Sequence, residues 1–450
     1  MTTADLSNPI LNSPFDPPQS HFELGREGPT GRLLPGRRPS ESFIPVPTSR
    51  KGRRAGGNGV QGSFDFDPTG ERRERNELIN EIRRAVERWR SLHWSGATPY
   101  TRKLLAHWSA APPTRDDPVL WCQREAAETA IFLAEVAGRH GTADYRPRLQ
   151  AQNALHNDGL PRIGIKMATG AGKTVVMAML IAWQAINKVM SPADARFSKR
   201  FLVVTPGITI RDRLGVLHPE REDNYFKERD LVPTELWDAL LQAQIEIVNY
   251  HAFLPRDAKE IQGVAANTRK LLRGGHPGTA DAFEETPDMV AARVLRPFGS
   301  GRGEIVVLND EAHHCYQDKL LDDPTAKLDR EEQDRNRDAR VWFKGLLDLR
   351  RRAGIKAVYD LSATPYYLKG SGYNEGFIFP WVVSDFSLMD AIESGIVKIP
   401  RIPVDDDASG KEPVYLNLWD NIVPPLPKRR MGKGHAGPGA SWVMPSTLEG

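Results

Sequence analysis

The chain has 450 residues, 40% of them hydrophobic and 26% charged, a composition that suits a protein with sizeable apolar cores. Its 61 lysines and arginines almost cancel its 58 aspartates and glutamates, so the net charge of +3 excludes a generally basic surface, and any contact with a polyanion must be a local patch. Two distant cysteines, Cys122 and Cys315, exclude a disulfide framework, no secretory signal opens the chain, and the longest apolar-rich run, 175–186, is broken by Gln184 and too short to span a bilayer; a cytoplasmic protein with no membrane partner is expected.

In chain order, residues 1–70 come first. They are rich in Pro, Gly, Ser and Arg, carry a basic tract at Arg50-Lys51-Gly52-Arg53-Arg54, and are expected to form a poorly ordered or surface-wrapping arm. Short apolar islands in it, such as Phe43-Ile44-Pro45-Val46, could dock on a neighbour. Residues 71–150 read as a helical segment: RNELINEIRRAVERWR sets Leu78, Ile82, Val86 and Trp89 on one helix face, and Pro112-Pro113 punctuates the helical pattern of 98–142. From 151 to about 400, continuous apolar runs at 163–167, 201–205, 245–248, 305–308 and 357–361 alternate with helical stretches. That rhythm predicts an α/β domain, a parallel sheet with helices on both faces. Residues 255–303 are mostly polar and look like an insertion, and 401–450, with PPLPKRRMGKGHAGPGAS, resemble a linker or the start of a further domain. No internal repeat is found.

The first chemistry-bearing stretch is IGIKMATGAGKTVVMAMLIAW. A phosphate chain needs several backbone N–H donors converging on it, and glycine lets the backbone curl that tightly. Thr169, Gly170, Ala171 and Gly172 form the curl, Lys173 adds a point charge for the β- and γ-phosphates, and Thr174 offers a hydroxyl to Mg²⁺. The helix after this loop aims its N-terminus at the same anion. Where the general pattern asks for a further glycine, Met167 stands instead.

The second stretch is IVVLNDEAHHCY, which delivers Asp310 and Glu311 to the C-terminal end of a strand, where ligands bind in open α/β sheets. Asp310 is placed to hold Mg²⁺ and Glu311 to orient and deprotonate an attacking water. By themselves, two carboxylates there could equally be acidic residues at a helix start. His313-His314-Cys315 are too crowded, with no partner pair elsewhere, to make a zinc site. The third stretch, AVYDLSATPYYL, ends another strand in Ser362, Ala363 and Thr364, which point into the same crevice.

Taken together, TGAGKT, DEAH and SAT resemble motifs I, II and III of superfamily 2 helicases and translocases. The resemblance implies a RecA-like fold, ATP bound by residues 169–174, Mg²⁺ by Thr174 and Asp310, and coupling of the nucleotide to DNA movement through His313, Ser362, Ala363 and Thr364. It also implies adenine reading by an upstream glutamine, for which WCQREAAETAIFL offers Gln123, although a polar residue at a helix start would look the same. Phosphate-gripping segments of the family correspond to VVTPGITIRDRL, with Pro206, Gly207 and Arg211, and to IVNYHAF, with Asn249 and Tyr250. Arg211 could equally be a solvated helix arginine. The wording of TPYTRKLLAHW, WCQREAAETAIFL, VLNDEAHHCY, FPWVVSDFSLMDAIESGIVKIPRIPV and the arm's GRRPSESFIPVP is similar to the Res-type helicase subunits of type III restriction systems. That implies ATP-driven translocation on double-stranded DNA, a nuclease fed by it, and a methyltransferase (modification) subunit as partner.

Two parts of that family pattern do not occur. The QxxGRxxR signature of a second RecA-like domain, which would bring an arginine finger, is missing, and so is a PD…(D/E)xK nuclease; Asp257-Ala258-Lys259 lacks the strand such a site needs. The expectation is the ATP-binding half of a motor, from a longer polypeptide or a gene truncated within it. The alternatives are a DNA repair or remodelling helicase without nuclease, and a nucleotide-binding interaction module that never turns over.

Overall fold

Alternating burial of successive residues builds the centre of the molecule. In the strand Arg200–Thr205, Phe201 and Val203 face one layer of helices while Leu202 and Val204 face the other, so the strand is apolar between its two end residues. The computed structural model describes residues 8–25, 28–45, 71–110, 117–139, 141–256, 285–299, 303–317, 329–368, 371–373 and 376–398. The chain divides into a unit ending at Val397 and a second, Lys398–Gly450, of which only Lys398 is described. Asp257 and Lys259, the basic tract at 50–54 and the whole Pro/Gly-rich stretch 401–450 therefore lie outside the described residues.

Four short strands open the first unit, β1 (Ser20–Leu24), β2 (Pro29–Pro35), β3 (Glu41–Pro45) and β4 (Glu71–Arg75), then helices α1 (Glu77–Ser91), α2 (Pro99–Trp108), α3 (Trp121–Glu135) and α4 (Arg146–His156). Next come β5 (Arg162–Met167), α5 (Lys173–Met190), β6 (Arg200–Thr205), α6 (Ile208–Arg213) and β7 (Gln244–Asn249). After them lie α7 (Pro287–Leu295), β8 (Ile305–Asp310), α8 (Arg330–Ala353), β9 (Ile355–Ser362), β10 (Val382–Phe386) and α9 (Leu388–Glu393). Strands β5 to β10 form one six-stranded sheet in the order β10-β5-β9-β8-β6-β7, every neighbouring pair parallel. Parallel pairing brings all six C-terminal ends to one edge.

Helices cover both faces. On one side α1, α2, α3 and α5 pack on Ile165, Met167, Phe201, Val203 and Leu308, and α5 and α3 are buried along almost their whole length. On the other, Trp342, Leu346 and Leu349 of α8 and Ala291 and Val294 of α7 pack on Leu202, Val204, Val307 and Val358. This is an α/β fold of the RecA-like kind, as the alternation of apolar runs and helices predicts. Two features differ in detail or add to it. The sheet has a sixth strand, β10, at its edge. The later part of the stretch that reads as an insertion, α7 with Phe298 after it, belongs to the second core. No helix among the described residues is long and apolar enough to cross a membrane.

The described parts of the arm are folded. β1 pairs with β2 and β3 with β4, both antiparallel. Between the two hairpins Arg37 forms an ion pair with Glu125 of α3, and Arg38 one with Glu393 of α9. Glu393 also accepts the Phe22 N–H at 3.0 Å. These charged anchors tie residues 8–45 to the sheet's β10 side, where apolar patterning gives no signal.

Candidate active site

The loop between β5 and α5 is built by two glycines in left-handed backbone, Gly170 at φ 85° and Gly172 at φ 84°. Gly172 caps α5, and a Cβ on it would sit 2.2 Å from Nε2 of Gln123, so conformation and space both demand glycine there. Thr169 and Gly170 are exposed, Ala171 is buried, and Gly172, Lys173 and Thr174 are half-buried at the helix N-terminus. An 18-residue helix thus starts at the point where an anion would meet unpaired backbone N–H groups.

Gln123 lies against this loop. Its buried amide donates to the Ala171 carbonyl at 3.1 Å and accepts the Leu120 N–H at 3.2 Å. The structure therefore commits both ends of the side chain to backbone rather than opening them towards a base.

Strand β8 ends two positions from the loop in sheet order and brings Asp310 and Glu311 to the same edge. Glu311 has φ 49° and ψ 49°, a left-handed conformation uncommon for a side chain of this kind, and the turn it makes aims its carboxylate at Lys173, Oε1 to Nζ 2.9 Å. Asp310 is buried at the strand end; burial first, and then the charge of Glu311, pushes its carboxyl up to about 6. Burial, and then the neighbouring His314, pushes the His313 ring down to about 4, so it is neutral near pH 7. Its Nδ1 lies 2.9 Å from Oγ of Ser362, where one proton is shared. Ser362 Oγ also accepts the Thr364 N–H at 3.1 Å. Ala363 is half-buried and Thr364 exposed beside them.

Loop, carboxylates and the Ser362 turn thus meet in one crevice through two direct contacts. The donors available to a divalent cation are the Thr174 hydroxyl and the Asp310 carboxylate, and no cluster of three or more His, Cys, Asp or Glu among the described residues could hold a metal. Few protein donors, with a buried carboxyl whose charge lacks compensation, fit Mg²⁺, which keeps waters and shares phosphate oxygens rather than entering an all-protein cage.

The other residues singled out by sequence lie along the same edge, beyond β8. Pro206 and Gly207 follow β6, half-buried, with Gly207 capping α6. Arg211 is exposed and pairs with Asp212 at 3.0 Å. Asn249 ends β7. Tyr250 is held from behind: its hydroxyl donates to Asp338 of α8 at 2.7 Å, and its ring stacks on Trp342 at 6.0 Å.

Sequence reasoning missed the polar groups just behind the site. Arg162 and Asp360 are both fully buried and ion-paired at 2.7 Å, and Asn309, the residue before Asp310, donates to Asp360 at 2.8 Å. Lys166 and Asp385 form a second buried pair, 2.7 Å apart, between β5 and β10. Burial opposes the Asp385 charge, but Lys166 and Arg83 outweigh it and hold the carboxyl below its ordinary value. The available signal was a charged residue inside each apolar strand, in RIGIKM, AVYDLS and VVSDF.

Residues 122–329 match the family model described as type III restriction enzyme, res subunit. The matched segment includes Gln123, residues 169–174 and residues 310–313, and ends short of Ser362. No curated protein matches the chain.

Proposed function

With the helicase-type ATP-binding domain of the res-subunit family in residues 122–329 as premise, we propose that this chain is the ATP-hydrolysing half of a DNA translocase of a type III restriction system. The observation that supports the reading is the 2.9 Å contact between Lys173, read as the phosphate-binding cation, and Glu311, read as the water-activating base. In it, Lys173 and the N–H groups at the start of α5 hold the β- and γ-phosphates of ATP. The phosphate takes over Lys173, and the Glu311 carboxylate is released to orient the attacking water and accept its proton. Mg²⁺, held by Thr174 and Asp310, would neutralise phosphate charge. His313 senses the change at Glu311 and passes it to Ser362, Ala363 and Thr364. Pro206, Gly207, Arg211, Asn249 and Tyr250, on the same edge, face double-stranded DNA, with Tyr250 acting through its ring or backbone because its hydroxyl is engaged. A methyltransferase subunit supplies sequence recognition in such a system.

The test is ATP hydrolysis by the 450-residue chain, with and without duplex DNA, beside Lys173→Ala. Turnover should fall at least about a hundredfold in the variant, the usual scale for removing a charge-stabilising donor. Equal turnover in the two proteins would refute the site; nucleotide binding without turnover in the parent chain would reduce the reading to a nucleotide-binding module.

A further inference from the structure

A second charged cavity, of about 500 Å³, lies between the arm, α1 and the first turn of α3, and shares no residue with the crevice of Lys173 and Glu311. Six arginines and three glutamates line it. Four of the six arginines are matched: Arg37 pairs with Glu125, Arg38 with Glu393, Arg75 with Glu41 and Arg90 with Glu128. Arg83 and Arg84 have no ion pair among the described residues. Arg83 donates only to backbone carbonyls, those of Arg38 at 3.2 Å and of Asp385. Burial, and then the charge of Arg37, pushes its guanidinium below the ordinary value, the mark of a cation short of compensation. Arg84 is exposed at the mouth.

The wall also holds N–H groups with nothing to donate to. Nε of Arg37, Nε of Arg83 and the indole Nε1 of Trp121 are all buried without an acceptor. Trp121 is only 5% exposed, and the Arg37 guanidinium stacks on its ring at 4.5 Å. Buried donors left unpaired are rare in folded proteins, and three of them just behind the surface of one cationic cavity leave its wall short of acceptors. Guanidinium forks match the paired oxygens of a phosphoryl group, which brings acceptors alone and negative charge.

We propose that this cavity is a second phosphoryl-anion site, independent of the ATP crevice, in which Arg83, Arg84 and Arg37 hold the oxygens of a free phosphate compound or of a DNA backbone. The Glu125 carboxylate, now on Arg37, is the group the anion displaces. Both Glu125 and Trp121 lie on the turn of α3 that carries Gln123 to the phosphate loop, so the site adjoins the ATP crevice without belonging to it.

The experiment uses the full chain carrying Lys173→Ala, so that the crevice does not compete. Pyrophosphate binding is measured by calorimetry, and duplex DNA binding by fluorescence anisotropy, with and without Arg84→Glu. Arg84 is exposed, so its reversal should leave the melting temperature unchanged; Arg83→Gln, with its own melting curve, is the second variant. Pyrophosphate should bind and weaken at least about tenfold in both variants, the loss of one charge-assisted contact. If a DNA backbone is the source, duplex displaces pyrophosphate and its own binding weakens with Arg84→Glu; if a free anion is the source, duplex does not displace it. Binding of pyrophosphate and duplex that is undetectable, or identical in all three proteins, overturns the proposal.

Discussion

Strands β5, β8 and β9 each carry polar groups in two places, at their crevice ends and a few residues back in the sheet, and the two sets live under opposite conditions. In the interior, Asp360 receives three donors, from Arg162 and Asn309 and from the Trp381 indole at 2.8 Å, while the Trp342 indole donates to Asn309 at 3.2 Å. Of that network only Nη2 of Arg162 lacks a partner. At the edge, one residue after Asn309, Asp310 is buried with its carboxyl pushed up to about 6, and Glu311 sits in left-handed backbone. A satisfied group has nothing left to offer a ligand, whereas an under-compensated one gains by meeting a cation or a phosphate. Strain and unmet charge at the edge are tolerable because the network behind fixes where the three strands lie.

The strongest way to break this comparison is Asp360→Ala. It leaves the Arg162 guanidinium buried without its carboxylate, which should lower stability by about 3–5 kcal/mol in urea unfolding. A loss under about 1 kcal/mol would mean the interior network is not what holds the strands. Glu311→Gln asks the converse question at the edge. Folding stability should stay within about 0.5 kcal/mol while nucleotide affinity is kept, because the amide removes only the carboxylate proposed as the base. Turnover should fall by about 10²–10³, and single-turnover kinetics would read it. A variant that hydrolyses ATP at the parent rate would move the base elsewhere.

Glu393 tests a case between the two. It is buried and bonded, to Arg38 and to the Phe22 N–H, yet burial prevails and pushes its carboxyl up to about 7. A folded-state value raised above the unfolded one means the native protein binds the proton more tightly. Its contribution to stability is therefore fully present below about pH 4.5 and is lost as pH rises through 7, by no more than about 3 kcal/mol. His313 and His314, held low, act with the opposite sign below about 6.5, so the curve of the parent chain alone is a mixture. The difference between parent and Glu393→Gln isolates the Glu393 contribution, as a downward slope of stability between about pH 4.5 and 7 that the variant lacks. Parallel curves would show that Arg38 fully compensates the charge.

The same contrast explains what the sequence disclosed. The positions of Lys173, Asp310, Glu311 and Ser362 were legible because each stands beside an apolar run, in a recurring pattern of residue types at fixed spacing. Five strands were legible from continuous apolar runs. Strand β10 was not, because its buried Ser384 and Asp385 break the run, and their partners, Lys166 in particular, are more than 200 residues away in sequence. Asp360 was hidden for the same reason: a buried carboxylate looks like an error in an apolar strand until Arg162, Asn309 and Trp381 are brought round it. The arm was expected to be poorly ordered or surface-wrapping because ion pairs such as Arg37 with Glu125 leave no periodic trace.

The smallest effect is expected where interior and edge meet. Ser362 is fully buried at the end of β9, two residues beyond Asp360, and its hydroxyl holds both the His313 ring and the Thr364 N–H. Ser362→Ala removes one neutral hydrogen-bonding group, with an expected stability loss of about 1 kcal/mol. If the hydroxyl belonged only to the interior, ATP turnover with and without duplex DNA would fall in proportion. If it links the carboxylate turn to the Thr364 backbone, basal turnover should stay within about threefold, less than the roughly 1 kcal/mol scale of one such bond, while the DNA-stimulated increment shrinks further. The ratio of stimulated to basal rate is the measurement. A ratio equal to that of the parent chain would place Ser362 with Asp360, as part of the frame, and leave His313 without a route to the edge proposed to face DNA.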